Sequence, residues 1–130
     1  MPDPKHMIIH PYLPIFVIAL LLNITPEEVA IARFFPEENV YHTALLVADC
    51  ESHIRQFEDD GVTPLKNREG SSAIGIFQIM ASIHEPMSKK VGIDIRTTSG
   101  NAQFARYLYD HEGWDPWLAS DDCHKKISKK

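Results

Sequence analysis

Apolar residues recur at helical spacing in several stretches of this chain, and local cap and turn signals divide those stretches into elements. Thr25-Pro26-Glu27-Glu28 reads as a helix start, with Thr25 as cap, Pro26 at the first helical position and Glu28 completing a capping box. That helix carries Val29 to Phe34 and stops before Pro36. A second helix is predicted from about Glu37–Asn39 through Val40, Ala44, Leu45, Val47 and Ala48 to Cys50 or Glu51. Asp59-Asp60-Gly61 is a turn signal, and Val62–Lys66, followed by the polar run Asn67–Ser72, reads as a short strand with its connections. The next segment, Ser72 to Met80, is small or apolar apart from Ser72 and Gln78. A third helix should end at Gly92, and a fourth should run from about Gly100 to Glu112 and close at Gly113. The aromatic-rich stretch Trp114–Cys123 is expected to lie over the core as irregular structure. The pattern predicts a mainly α domain with one small β-hairpin.

The N-terminus differs in kind. Met7 to Ile24 is almost wholly apolar, and Leu13–Leu22 carries nothing polar, the length of a signal-peptide core. Pro11, Pro14 and His10 interrupt it, whereas a membrane span needs about 20 apolar residues. Residues 1–24 are therefore expected to be an export signal or membrane anchor, 25–123 the folded domain and 124–130 a basic tail.

Length and composition sharpen this division. At 130 residues, 44% of them hydrophobic and 24% charged, the chain suits one ordinary domain and is neither disordered nor a multi-pass membrane protein. A net charge of −5 gives a nucleic-acid partner no electrostatic support. The charge is uneven, because Lys125, Lys126, Lys129 and Lys130 stand in the last six residues and leave a strongly acidic body before them. Cys50 and Cys123 belong to no metal-ligand spacing. Composition leaves open whether they form a bridge or stay as two buried thiols.

Glu51 is the residue that chemistry singles out. On a continuing helix it follows Ala44 by seven positions, Val47 by four and Ala48 by three, which puts it on the apolar face. A carboxyl group turned into an apolar cleft has its charged form disfavoured and stays protonated nearer neutral pH, as a general acid requires. Arg55, four residues on, is placed to pair with it. The histidines offer no rival centre: His42, His53, His84, His111 and His124 form no ligand-spaced pair with an acidic third partner, and His84-Glu85 lacks a zincin's second histidine. No metal and no cofactor are expected. Trp114 and Trp117, beside Pro116, are expected to close the core rather than to stack on a ligand.

Several motifs then arrive in order. Cys50-Glu51-Ser52-His53-Ile54-Arg55-Gln56-Phe57 precedes Asp60-Gly61, then Gly75-Ile76-Phe77-Gln78-Ile79, Gly92-Ile93-Asp94-Ile95, Gly100-Asn101, Arg106-Tyr107-Leu108-Tyr109 and the run from Gly113 through Pro116-Trp117 to Cys123. The chain in this order resembles the lysozyme-like superfamily, and most closely the small single-domain soluble lytic transglycosylases, from about Thr25 to Cys123. The resemblance implies a lysozyme-like α+β fold with the hairpin beside the cleft. It makes Glu51 the single catalytic acid/base and Ser52 its supporting neighbour. Gln78 becomes a contact to sugar amide or hydroxyl groups, Gly75 a point where backbone approaches glycan, and Asn101 and Tyr107 residues of the helix near Glu51. The family's Ala-Tyr-Asn-Ala-Gly segment is replaced here by Gly113-Trp114-Asp115-Pro116-Trp117, which leaves Tyr107 and Tyr109 as the two candidates for the tyrosine beside Glu51. A Cys50–Cys123 bridge would tie the C-terminal segment to the end of the catalytic helix.

The activity implied is cleavage of the β-1,4 bond between N-acetylmuramic acid and N-acetylglucosamine in peptidoglycan, by a secreted or envelope-located monomer without cofactor. Attack by water would make the enzyme a lysozyme-type hydrolase, usually with a second carboxylate in reach. Asp59, Asp60 and Glu69 are the candidates for that group, although Asp60 before Gly61 has the character of a turn residue. The alternative is a glycan-binding or structural domain of an envelope assembly that has lost turnover. The acidic body favours that alternative, because anionic wall polymers would repel it.

Overall fold

A computed structural model describes residues 14, 23–118 and 123. The expected N-terminal signal or anchor and the basic tail lie almost wholly outside these residues. Among the described residues no helix is long and apolar enough to cross a membrane.

Four helices and one two-stranded antiparallel sheet make up the regular structure among the described residues: α1 (Pro26–Phe34), α2 (Glu38–Ser52), β1 (Ala73–Ile74), β2 (Ile79–Met80), α3 (Ala81–Lys90) and α4 (Thr98–Glu112), followed by a 3-10 turn at Asp115–Trp117. The fold is mainly helical with one small hairpin, as the pattern predicts. Local chemistry sets most boundaries. Thr25 Oγ1 accepts from the Glu28 backbone N–H at 3.1 Å and donates to the Glu28 carboxylate, which opens α1. Thr97 caps α4 by accepting from Gly100 N at 2.9 Å. Gly92 and Gly113, both at positive φ, follow α3 and α4 and return their N–H groups to Lys89 and Tyr109.

The strand expected at Val62–Lys66 is corrected by the structure. That segment contributes only isolated bridges, Phe57 with Pro64 and Lys66 with Ile74. The hairpin forms instead within the apolar segment, pairing Ala73 with Met80 and Ile74 with Ile79. Pro64 removes a ladder donor from the earlier segment and Val62 is left exposed, whereas Ala73, Ile74 and Ile79 are buried.

The core is one cluster built on Ile31, Phe35, Val47, Ile76, Phe77, Phe104 and Trp117. Phe35 sits at its aromatic centre, with ring centroids 5.7 Å from Phe77, 5.7 Å from Trp114 and 6.1 Å from Tyr109. Trp117 is buried there, as expected from sequence. α4 packs mainly on α1. Arg106 of α4 locks this contact: it bonds both carboxylate oxygens of Glu37 at 2.7 and 3.0 Å, the Phe34 carbonyl at 3.2 Å and Asp110 at 2.8 Å. Its guanidinium also lies over the Phe35 and Tyr109 rings. Hydrogen bonding from Arg106 holds the Glu37 carboxyl down to about 2. Cys50, at the end of α2, is disulfide-bonded to Cys123 across a Cα–Cα distance of 5.9 Å.

Candidate functional site

α2 ends by delivering three consecutive residues to different tasks. Cys50 takes the disulfide, Glu51 is half-buried in a cleft, and Ser52 points into the core. The chain then turns through two non-glycine residues in the left-handed region, His53 at φ 55° and Ile54 at φ 58°. A β-branched residue is costly in that conformation. The turn is retained because it closes α2, with Ile54 N donating to Ala48 O and His53 N to Asp49 O, and because it brings Gln56 beneath the hairpin.

That hairpin turn, residues 74–78, is a buried loop whose backbone is satisfied almost entirely from outside itself. Gln56 Oε1 accepts from Ile76 N at 3.0 Å, and Ser52 Oγ donates to Ile76 O at 2.7 Å. Asn101 Oδ1 accepts from Phe77 N at 2.9 Å, while its Nδ2 donates to Ile74 O and Ile95 O, both at 3.0 Å. Trp117 Nε1 donates to Phe77 O at 2.9 Å. Gly75 N donates to Leu65 O at 2.9 Å. Buried backbone polar groups demand such partners, since each unmet group costs roughly 1–3 kcal/mol.

Gly75 is needed for a reason internal to the fold. Its φ is +77°, and a Cβ there would run into the amides of Asn101 and Gln56. Ser52, Gly75 and Asn101, which the resemblance casts as supports or sugar contacts, are all buried and all serve this loop. Asn101 is fully buried, so it holds the wall of the cleft and does not face it.

The cleft itself encloses about 210 Å³. Glu51 enters it from α2, Gln78 and Met80 from the hairpin, His84 from α3, Leu108 from α4 and Trp117 from the 3-10 turn. Asn67 and Ser71 add an amide and a hydroxyl from the loop before β1. Gln78 stands at φ +49°, and its Nε2 donates to Leu65 O at 3.2 Å and Gly75 O at 3.0 Å. With both N–H donors spent on backbone, its carbonyl oxygen is the group it offers to the cleft. Tyr107 and Tyr109 do not line the cleft. Leu108, between them, takes the inward position, while Tyr107 stacks on Phe104 at 5.2 Å and Tyr109 packs on Trp114 at 4.6 Å.

Three acidic residues expected near Glu51 lie elsewhere. Asp59 is fully exposed and pairs with Arg55 at 2.8 Å. Asp60 closes its own turn, and hydrogen bonds from the Thr63 hydroxyl and the N–H groups of Val62 and Thr63 hold its carboxyl below the ordinary range. Glu69 is exposed beside Asn67. Glu51 is therefore the one carboxylate among the described residues lining the cleft.

Two functional supports escape sequence reasoning. Gln56 carries no signal beyond its place in the motif string after Glu51, and the indole N–H of Trp117 has its partner forty residues away. The arrangement as a whole presents one carboxyl group on a wall of apolar side chains, two amides, a hydroxyl and an imidazole, beside a loop held by buried hydrogen bonds. No family model, curated protein or solved structure matches this chain.

Proposed function

We propose that this chain cleaves the β-1,4 bond between N-acetylmuramic acid and N-acetylglucosamine in peptidoglycan, with Glu51 as its single acid/base. The observation that carries the reading is the meeting of Glu51 and Gln78 in one cleft, from motifs 27 residues apart, with no second carboxylate among the described lining residues. The ordered motif resemblance supplies the reaction class. In this reading the protonated carboxyl of Glu51 donates to the glycosidic oxygen as the bond from muramic acid C1 breaks, releasing the glucosamine 4-hydroxyl. The resulting carboxylate takes the proton of the muramic acid 6-hydroxyl, whose oxygen closes on C1 to give a 1,6-anhydro end. A lone carboxyl group serves this route, whereas hydrolysis ordinarily uses a pair. The Cys50–Cys123 bridge supports a site of action outside the reducing cytoplasm.

Mass spectrometry of purified sacculi digested by the full chain tests the proposal. Anhydro-ended muropeptides are expected from the wild type and none from Glu51→Gln, with folding unchanged. Hydrated reducing ends would turn the reading to a hydrolase. Wild-type protein that binds sacculi without cutting them would move it to the glycan-binding alternative.

A further inference from the structure

α2 carries a second face that the core does not use. His42, Leu45, Leu46 and Asp49 follow one another at helical spacing along it, and Ile54 closes its end after the turn, lining an open groove of about 430 Å³. Leu46 is 41% exposed there, while Leu45 and Ile54 are half-buried. The groove shares no lining residue with the cleft beside Glu51. Its rim is acidic: Asp49 is exposed, with His53 at 3.6 Å, and Glu38 stands exposed one turn before His42. Cys50 follows Leu46 by one turn on α2, so its disulfide brings Cys123, and the chain that continues from it, to the end of the groove. That continuation is His124-Lys125-Lys126-Ile127-Ser128-Lys129-Lys130, one large apolar side chain with two lysines on either side. Four residues of chain span up to about 14 Å, whereas Leu46 lies about 6 Å back along α2 from Cys50, so Ile127 reaches it with slack to spare.

We propose that residues 124–130 turn back along α2 and dock in this groove, with Ile127 between Leu46 and Ile54 and with Lys125 and Lys126 against Asp49. Three features select this occupant: its reach, the match of one apolar residue to an apolar groove, and lysines opposite an acidic rim. The bridge makes the encounter intramolecular, at an effective concentration on the order of millimolar, so a contact too weak to hold a free peptide holds the tethered one. The ion pairs lie at the surface, are screened by salt, and set register more than strength. Docked in this way, the tail covers the outer face of the helix whose end carries Glu51 without entering the cleft. The inference does not depend on what the cleft cuts.

NMR of the methyl-labelled full chain, with the disulfide intact and at low salt, tests it. Nuclear Overhauser contacts are expected from the Ile127 methyls to those of Leu46 and Ile54. A chain stopped after Cys123 should move the methyl signals of Leu45, Leu46 and Ile54 while leaving core Ile31 in place. Leu46→Ser, at an exposed position that folding tolerates, should weaken docking at least about threefold, read from the Ile127 shift, and Asp49→Asn about twofold. Random-coil shifts for Ile127, with groove signals unmoved by truncation, would overturn the proposal. Groove signals that shift with protein concentration, alongside a dimer in sedimentation, would overturn it in favour of a second copy of the chain. An Ile127 methyl that leaves its random-coil shift only when phosphatidylglycerol vesicles are added would overturn it in favour of lipid.

Discussion

Gln56 and Asn101 grip the same buried loop at adjacent residues, Gln56 Oε1 accepting from Ile76 N at 3.0 Å and Asn101 Oδ1 accepting from Phe77 N at 2.9 Å. Their amide nitrogens reach across to one further strand of backbone, Asn101 to Ile95 O at 3.0 Å and Gln56 to Arg96 O at 3.1 Å. The two side chains thus staple the hairpin turn to the segment leading into α4, and Gln78 and the wall facing Glu51 are placed by that staple. Buried amides of this kind raise the cost of every alternative arrangement of the loop.

Removing one grip should be expensive. Asn101→Ala leaves Phe77 N without its acceptor and takes a donor from both Ile74 O and Ile95 O, and about 3–5 kcal/mol of stability should be lost in urea unfolding. Asn101→Asp keeps the shape and the acceptor for Phe77 but replaces the donor that faces two carbonyls. It should be nearly as destabilising, and near-wild-type stability would show that packing, not hydrogen bonding, holds the loop.

Gly75 faces the two amides at φ +77°, so Gly75→Ala adds both backbone strain and a collision. A loss of about 3 kcal/mol is expected, seen as a fall in melting temperature on the order of 10 °C. The double variant Gly75→Ala/Gln56→Ala should lose less than the two single losses combined, because the second change removes one of the colliding groups. Full additivity in a double-mutant cycle would contradict this geometry.

The Cys50–Cys123 bridge closes most of the folded domain into one covalent loop with a sequence separation of 73. Chain-entropy arithmetic for a loop of that length gives about 4 kcal/mol. Cys50→Ser should therefore lower the denaturation midpoint markedly, and reductant should lower the wild type toward the same value while leaving the variant unmoved.

Acid sensitivity has a named source in Glu37, whose carboxyl is held at about 2 by Arg106 against an ordinary 4.5. A depressed carboxylate stabilises the fold fully above its unfolded value and loses that contribution as pH falls through the native one. Wild-type stability should accordingly decline between about pH 4.5 and pH 2, and Glu37→Gln should flatten that limb while being less stable at neutral pH. Parallel acid limbs in thermal melts at stepped pH would assign the effect to another group.

Helix ends were legible from residues a few positions apart. Thr25 with Glu28, Pro36, Gly92 and Gly113 act through bonds or φ preferences that span one turn of chain, so their meaning survives without knowledge of the fold. Glu51 was legible in the same way, by its interval from Ala44, Val47 and Ala48. The hairpin's position was not. Val62–Lys66 has the local look of a strand, but burial went to the apolar segment after it, and burial is a property of the whole packing.

What the chain's own pattern established was therefore the set of helices, their caps, and a carboxylate at the end of one of them. Folding alone decided that Ser52, Gln56, Asn101 and Trp117 would spend their polar groups on a loop 20 to 40 residues away in sequence. It also turned Leu108 rather than either tyrosine into the cleft, and packed the His84 ring at the cleft wall against Phe104. The physical reason is range: capping and helical periodicity are local interactions, whereas a buried amide reveals its purpose only when the backbone it satisfies has been brought to it.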